Sequence, residues 1–122
     1  MEICKFEIAK KLKEKGFPQH ITEDAYIIDN YGEDEYQIGD RLPIPLIPDY
    51  MDDIAAPTIS QVLKWLREEK KIHICVDFDG DMNWYYQIAI YGSTNIAADG
   101  YGFKLYEDAM LAGIDSVFNN LI

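Results

Sequence analysis

Cationic side chains are scarce in this chain. Eleven Lys and Arg stand against 22 Asp and Glu, for a net charge of −11 over 122 residues. Affinity for a phosphate backbone comes from clustered cations that displace counterions, so the charge argues against direct nucleic-acid binding. Cysteine is also sparse. Cys4 and Cys75 have no paired spacing, and the N-terminal residues interleave Lys and Glu where a secretory leader would be apolar. Reduced thiols in a cytoplasm are the expected state. No apolar run approaches the ~18 residues that cross a bilayer, so no membrane partner is expected. With only His20 and His73 available, neither a Ser-His-Asp set nor a histidine-rich metal site can be assembled from spacing alone.

What the chain does have is one long run of alternating side chains. In Ile72–Tyr91, successive residues point to opposite faces of a strand. Ile72, Ile74, Val76 and Phe78 share one side, and Trp84, Tyr86, Ile88 and Ile90 share one side of a returning strand. Both apolar sets reach one face only if the loop has an odd length. An Asp79-Gly80-Asp81 loop meets that condition and pairs Val76 with Trp84, Ile74 with Tyr86 and Ile72 with Ile88. A two-residue Asp79-Gly80 turn would invert the second strand. The opposite face then carries His73, Cys75, Asp77, Asn83, Tyr85, Gln87, Ala89 and Tyr91, which is neither a dry core set nor a solvent set.

Around this hairpin, residues 2–15 read as a helix with Cys4, Ile8 and Leu12 on one stripe and Gly16 as its stop. Residues 25–28 and 35–38 read as two strands about a turn. Gly39–Pro57, with prolines at 43, 45 and 48, reads as a loop. Thr58 and Gln61 have capping-box spacing, opening a helix with Ile59, Val62, Leu63 and Leu66 on its stripe and Lys70-Lys71 at its negative end. Gly92–Gly102 is turn-rich, and 102–105 forms at most a short strand. A last helix over 106–121 presents Met110, Ile114, Val117, Phe118 and Leu121, while Ala109, Ala112 and Gly113 permit close approach. The expectation is one α+β domain over residues 1–122. Its antiparallel sheet is built from hairpins and packed against amphipathic helices, in the order α-β-β-α-β-β-(β)-α.

Ile74–Gly80 resembles the first motif of haloacid-dehalogenase-type phosphatases. That likeness would make Asp77 the nucleophile and Asp79 the proton donor. The chain departs from the family at Asp81, where Thr or Val is usual. It also lacks the crossover helix that should follow, and Lys104 is the sole Lys or Arg after Asp77. Asp77, Asp79 and Asp81 also match the first ligands of an EF-hand loop, but the positions that need Gly and a bidentate Glu hold Met82 and Ile88. His73, Cys75 and Asp77 span roughly 13 Å along a strand, too far for one ion. No catalytic residue, metal ligand or cofactor is assigned.

The series PTISQVLKWLREEKKIHI, an aromatic strand and YEDAMLAGIDSVFNNLI resembles a group of small uncharacterised proteins from gut-type bacteria and their phages or prophages. The likeness covers roughly residues 55–122 and implies a phage or mobile-element context without an activity. The resulting expectation is a non-enzymatic cytoplasmic interaction protein. The binding surface would be the face bearing His73, Cys75, Tyr85, Gln87 and Tyr91, with an unidentified protein partner or a second copy as its occupant. Two alternatives stand beside it: an acidic inhibitor of a nucleic-acid-binding protein, and a metal-dependent hydrolase using the Asp77-Asp79-Asp81 turn.

Overall fold

The computed structural model describes residues 3–19, 21–29, 36–40 and 51–122. The chain divides into two compact units, Met1–Val62 and Leu63–Ile122. Each has its own three-stranded antiparallel sheet, one ordered β2 (Tyr36–Asp40), β1 (Asp24–Asp29), β3 (Met51–Ala55) and the other β4 (Ile72–Phe78), β5 (Trp84–Ile90), β6 (Ile96–Phe103). The fold is α+β; among the described residues β3 was not expected, and β6 is longer than the short optional strand that was.

In the first unit, α1 runs Phe6–Glu14. It ends in a Schellman motif: the Gly16 N–H donates to Lys13 O at 3.3 Å and the Phe17 N–H to Leu12 O at 2.9 Å, with Gly16 at φ +93°. The helix begins later than its apolar period predicts. Ile3 is drawn into a β-bridge with Thr58, and the Cys4 N–H donates to Pro57 O, so Cys4 precedes the helix. Strands β1 (Asp24–Asp29) and β2 (Tyr36–Asp40) form the expected hairpin, whose turn lies outside the described residues. The reading of 39–57 as loop is corrected in part. Met51–Ala55 forms β3 and pairs with β1, because these five residues contain no proline and Pro57 falls just beyond them.

Helix α2 (Ile59–Glu69) opens on the capping box that its spacing predicts. The Thr58 N–H donates to Gln61 Oε1 at 2.9 Å, and the Gln61 N–H donates to Thr58 Oγ1 at 3.2 Å. At its other end the Lys71 ammonium donates to Glu68 O at 2.8 Å, meeting an otherwise open carbonyl of the last turn.

The second unit is built on β4 (Ile72–Phe78), β5 (Trp84–Ile90) and β6 (Ile96–Phe103). The β4–β5 loop is odd, as side-chain parity requires, but the register sits one pair further along. Phe78 opposes Trp84, Val76 opposes Tyr86, Ile74 opposes Ile88 and Ile72 opposes Ile90. The ladder continues through the Asp79 N–H, which donates to Asn83 O at 2.9 Å and leaves Gly80-Asp81-Met82 as the loop. Asp79 causes the shift by accepting from the Asp81 N–H at 2.7 Å and the Asn83 N–H at 3.3 Å, which folds the turn around its own carboxylate. The third strand is eight residues long and not a fragment at 102–105. Its two glycines read as turn signals but serve packing and a bulge.

Helix α3 (Tyr106–Ser116), with a π-helical last turn over Val117–Leu121, lies on the inner face of this sheet. Ile72, Ile74, Tyr86 and Ile88 are buried against Ala109, Met110, Gly113, Ile114, Val117 and Phe118. A Cβ built on Gly113 would stand 2.9 Å from Ile74 Cγ2 and 3.4 Å from Tyr86 Cγ, and one on Gly100 only 2.4 Å from Tyr86 Cε1. The Tyr86 ring therefore occupies space that two glycines leave open. Gly100→Ala should lower stability by about 1–3 kcal/mol through overpacking, read as a shifted urea midpoint. An unchanged midpoint would mean that the ring has room to move aside.

Candidate functional site

Alternation along β4 and β5 sends the partners of the buried set outward. Antiparallel pairing then brings them together across the strands. Cys75 opposes Gln87, Asp77 opposes Tyr85 and His73 opposes Ala89. Tyr91 stands one residue past β5 and extends the ladder, its N–H donating to Lys71 O at 2.8 Å. All five predicted site residues, His73, Cys75, Tyr85, Gln87 and Tyr91, share this outer face. None is buried, and α3 lies on the opposite side of the sheet.

The third strand adds residues that sequence reasoning missed. Asp99 opposes Gln87, Ile96 opposes Ala89, and Tyr101 stacks on Tyr85 with ring centroids 5.4 Å apart and an interplanar angle of 21°. Two register shifts make this possible, one of which passes over Ala97 to set Ile96 opposite Ala89. Between the Trp84–Phe103 and Tyr86–Gly100 pairs, Tyr85 faces both Tyr101 and Gly102, and Gly102 takes φ +85° there. The available signal was the spacing of Asp99 and Tyr101, which Gly100 between them disguised; beyond the bulge Phe103 returns to the inner face opposite Trp84.

The face combines aromatic area with negative charge. Tyr91 is 85% exposed, Tyr101 61% and Ile96 51%. The Tyr101 hydroxyl donates to Asp99 Oδ2 at 3.2 Å, and the Asp77 carboxylate lies cross-strand from Tyr85. Partial removal from solvent, and then the negative charge of Asp77, hold the Tyr85 phenol above its ordinary value of 10.0. No lysine or arginine occurs in any of the three strands. At one end of the face a groove of about 800 Å³ is lined by Arg67, Glu68, Lys71, His73, Tyr91 and Ser93, among others.

Two carboxylates of the Asp-rich turn, those of Asp77 and Asp79, are engaged in local bonding. Asp77 Oδ1 accepts from the Phe78 N–H at 2.8 Å, Asp79 Oδ1 holds the turn, and the Lys104 ammonium donates to Asn83 Oδ1 at 2.8 Å. Among the described residues no three His, Cys, Asp or Glu side chains gather at metal-binding distance, and His20 lies outside those residues. The cysteines differ sharply. Cys75 is exposed, whereas Cys4 is buried and its thiol is pushed up to about 12, chiefly by desolvation. No helix among the described residues is long and apolar enough to cross a membrane.

Comparison with protein-family models, curated proteins and solved structures returns no match to this chain.

Neighbouring tyrosines on the two faces should respond oppositely to truncation. Tyr86→Ala should cost about 3–5 kcal/mol by emptying a buried ring site. Tyr91→Ser should change stability by no more than about 0.5 kcal/mol. Equal losses in denaturant titration would mean that the outer face is covered.

Proposed function

We propose that this chain is a non-enzymatic cytoplasmic interaction protein, encoded by a phage or mobile element, whose outer sheet face binds a basic polypeptide surface. The observation that carries the reading is the Tyr85–Tyr101 pair flanked by Asp77 and Asp99 in strands without a single cation. An aromatic face attracts a guanidinium or ammonium, and a carboxylate beside it supplies the charge-assisted hydrogen bond. Tyrosine combines apolar area with a polar tip, as protein interfaces favour. The mobile-element context is supported by the resemblance of residues 55–122, and the compartment by the sparse, unpaired cysteines.

A basic partner also encompasses the inhibitor alternative, since nucleic-acid-binding proteins present the cationic surfaces such a face would occupy. The hydrolase alternative is weaker, because Asp79 already accepts two backbone donors of its own turn.

Titration with nona-arginine, followed by calorimetry, tests the reading. Tyr101→Ala and Asp99→Asn should each weaken binding by about threefold to tenfold. Glu69→Gln, which removes a charge from the exposed end of α2, should leave binding nearly unchanged. Equal weakening by Asp99→Asn and Glu69→Gln, with none from Tyr101→Ala, would reduce the interaction to net charge. Magnesium-dependent turnover of a phosphomonoester that disappears in Asp77→Asn would replace this reading with the enzyme class.

A further inference from the structure

Among the described residues strand β4 is an edge of its sheet, since it pairs there with β5 alone. Which of its backbone groups face the open side follows from the ladder. Asp79 donates to Asn83 O, and Tyr91 donates to Lys71 O, so the odd-numbered residues of β4 exchange hydrogen bonds with β5. The N–H and C=O groups of Ile72, Ile74, Val76 and Phe78 therefore point away from β5. Among the described residues no backbone group meets those of Ile72, Ile74 or Val76, and the Phe78 N–H is met only by the neighbouring Asp77 carboxylate. Edges of this kind are commonly blocked by lysine, proline or a bulge. IHICVDF contains neither lysine nor proline, and its pairing with β5 is regular throughout.

We propose that β4 pairs antiparallel with β4 of a second copy of this chain, joining the two three-stranded sheets into one six-stranded sheet with Cys75 on the two-fold axis. The register follows from length and chemistry together. Overlap of all seven residues requires Ile72 to face Phe78 of the second copy, His73 to face Asp77, Ile74 to face Val76, and Cys75 to face Cys75. The even-numbered pairs are the ones whose backbone groups point outward, so they form the hydrogen-bonded pairs of the new ladder. They also place apolar side chains against apolar side chains on the inner face. Phe78, 45% exposed in the single chain, gains Ile72 as its neighbour. On the outer face each His73 meets an aspartate, and just beyond the strand each Lys71 stands opposite Asp79.

The strand is thus complementary to itself in backbone, apolar matching and charge, as a two-fold interface requires. A slip of the axis by one residue shortens the overlap and breaks the match of Ile72 with Phe78. The pairing is independent of what the outer face binds. Because odd-numbered residues face odd-numbered residues, it sets the two outer faces side by side.

Sedimentation velocity of the reduced, full-length chain at about 100 μM, in salt that screens charges beyond ~8 Å, gives the test. The chain should sediment at twice its monomer mass. Cys75→Ser should remain dimeric. Cys75→Lys, which sets two ammonium groups against each other at the axis, should be monomeric with an unchanged circular dichroism spectrum. Tyr101→Ala should remain dimeric, which separates the edge from the outer face. In the wild type, diamide should take two protons and two electrons from paired thiols and leave a Cys75–Cys75 bridge, identified by peptide mapping. A monomeric wild type, or a Cys75→Lys variant that still dimerises, would overturn the proposal.

Discussion

The second unit depends on how closely α3 can lie on its sheet at Tyr86. Gly113 on the helix and Gly100 on β6 each withhold the one carbon that would strike that ring or its neighbour Ile74. With the ring seated, Ile72, Ile74 and Ile88 are closed off from water, and the inner face is fixed as the core. Strand alternation then leaves no choice about the other side. The outer face is a consequence of the inner packing, and its side chains were under no packing demand to be aromatic. Tyr85, Tyr91 and Tyr101 are nonetheless there, which directs attention to binding.

Charge is divided by element along the chain. Lysines and Arg67 occur in α1 and toward the end of α2, while β4, β5 and β6 carry only aspartates as formal charges. The Asp77–Asp81 segment shows how carboxylates can resemble a catalytic motif and serve a turn. Asp79 spends its Oδ1 on two amides, and Asn83 is held by Lys104. A carboxylate engaged in that way shapes the loop that terminates β4 and so defines where the exposed edge ends.

Much of this architecture was legible because it rests on period. The strict alternation from Ile72 to Ile90 determined which residues face inward, and the Thr58–Gln61 spacing located the start of α2. What period could not supply was the point at which a ladder ends. Register moved by one pair because the Asp79 side chain and the Phe78–Trp84 ring contact, 5.0 Å between centroids, extend the hairpin toward its tip. Strand β6 was hidden because Gly100 and Gly102 signal a turn in sequence, while in space one accommodates Tyr86 and the other a bulge. Strand β3 was masked by the prolines before it. The proposed face was identified from β4 and β5 alone, so the contribution of Asp99, Tyr101 and Ile96 emerged only with the third strand.

One face of the β4-β5-β6 sheet is sealed by α3 and the other stands open with its tyrosines presented. Nitration of the native protein with tetranitromethane, followed by peptide mass spectrometry, reads both faces at once. Tyr91 and Tyr101 should be modified while Tyr86 is protected until denaturant is added. Protection of Tyr91 and Tyr101 to the same degree as Tyr86 would contradict the account.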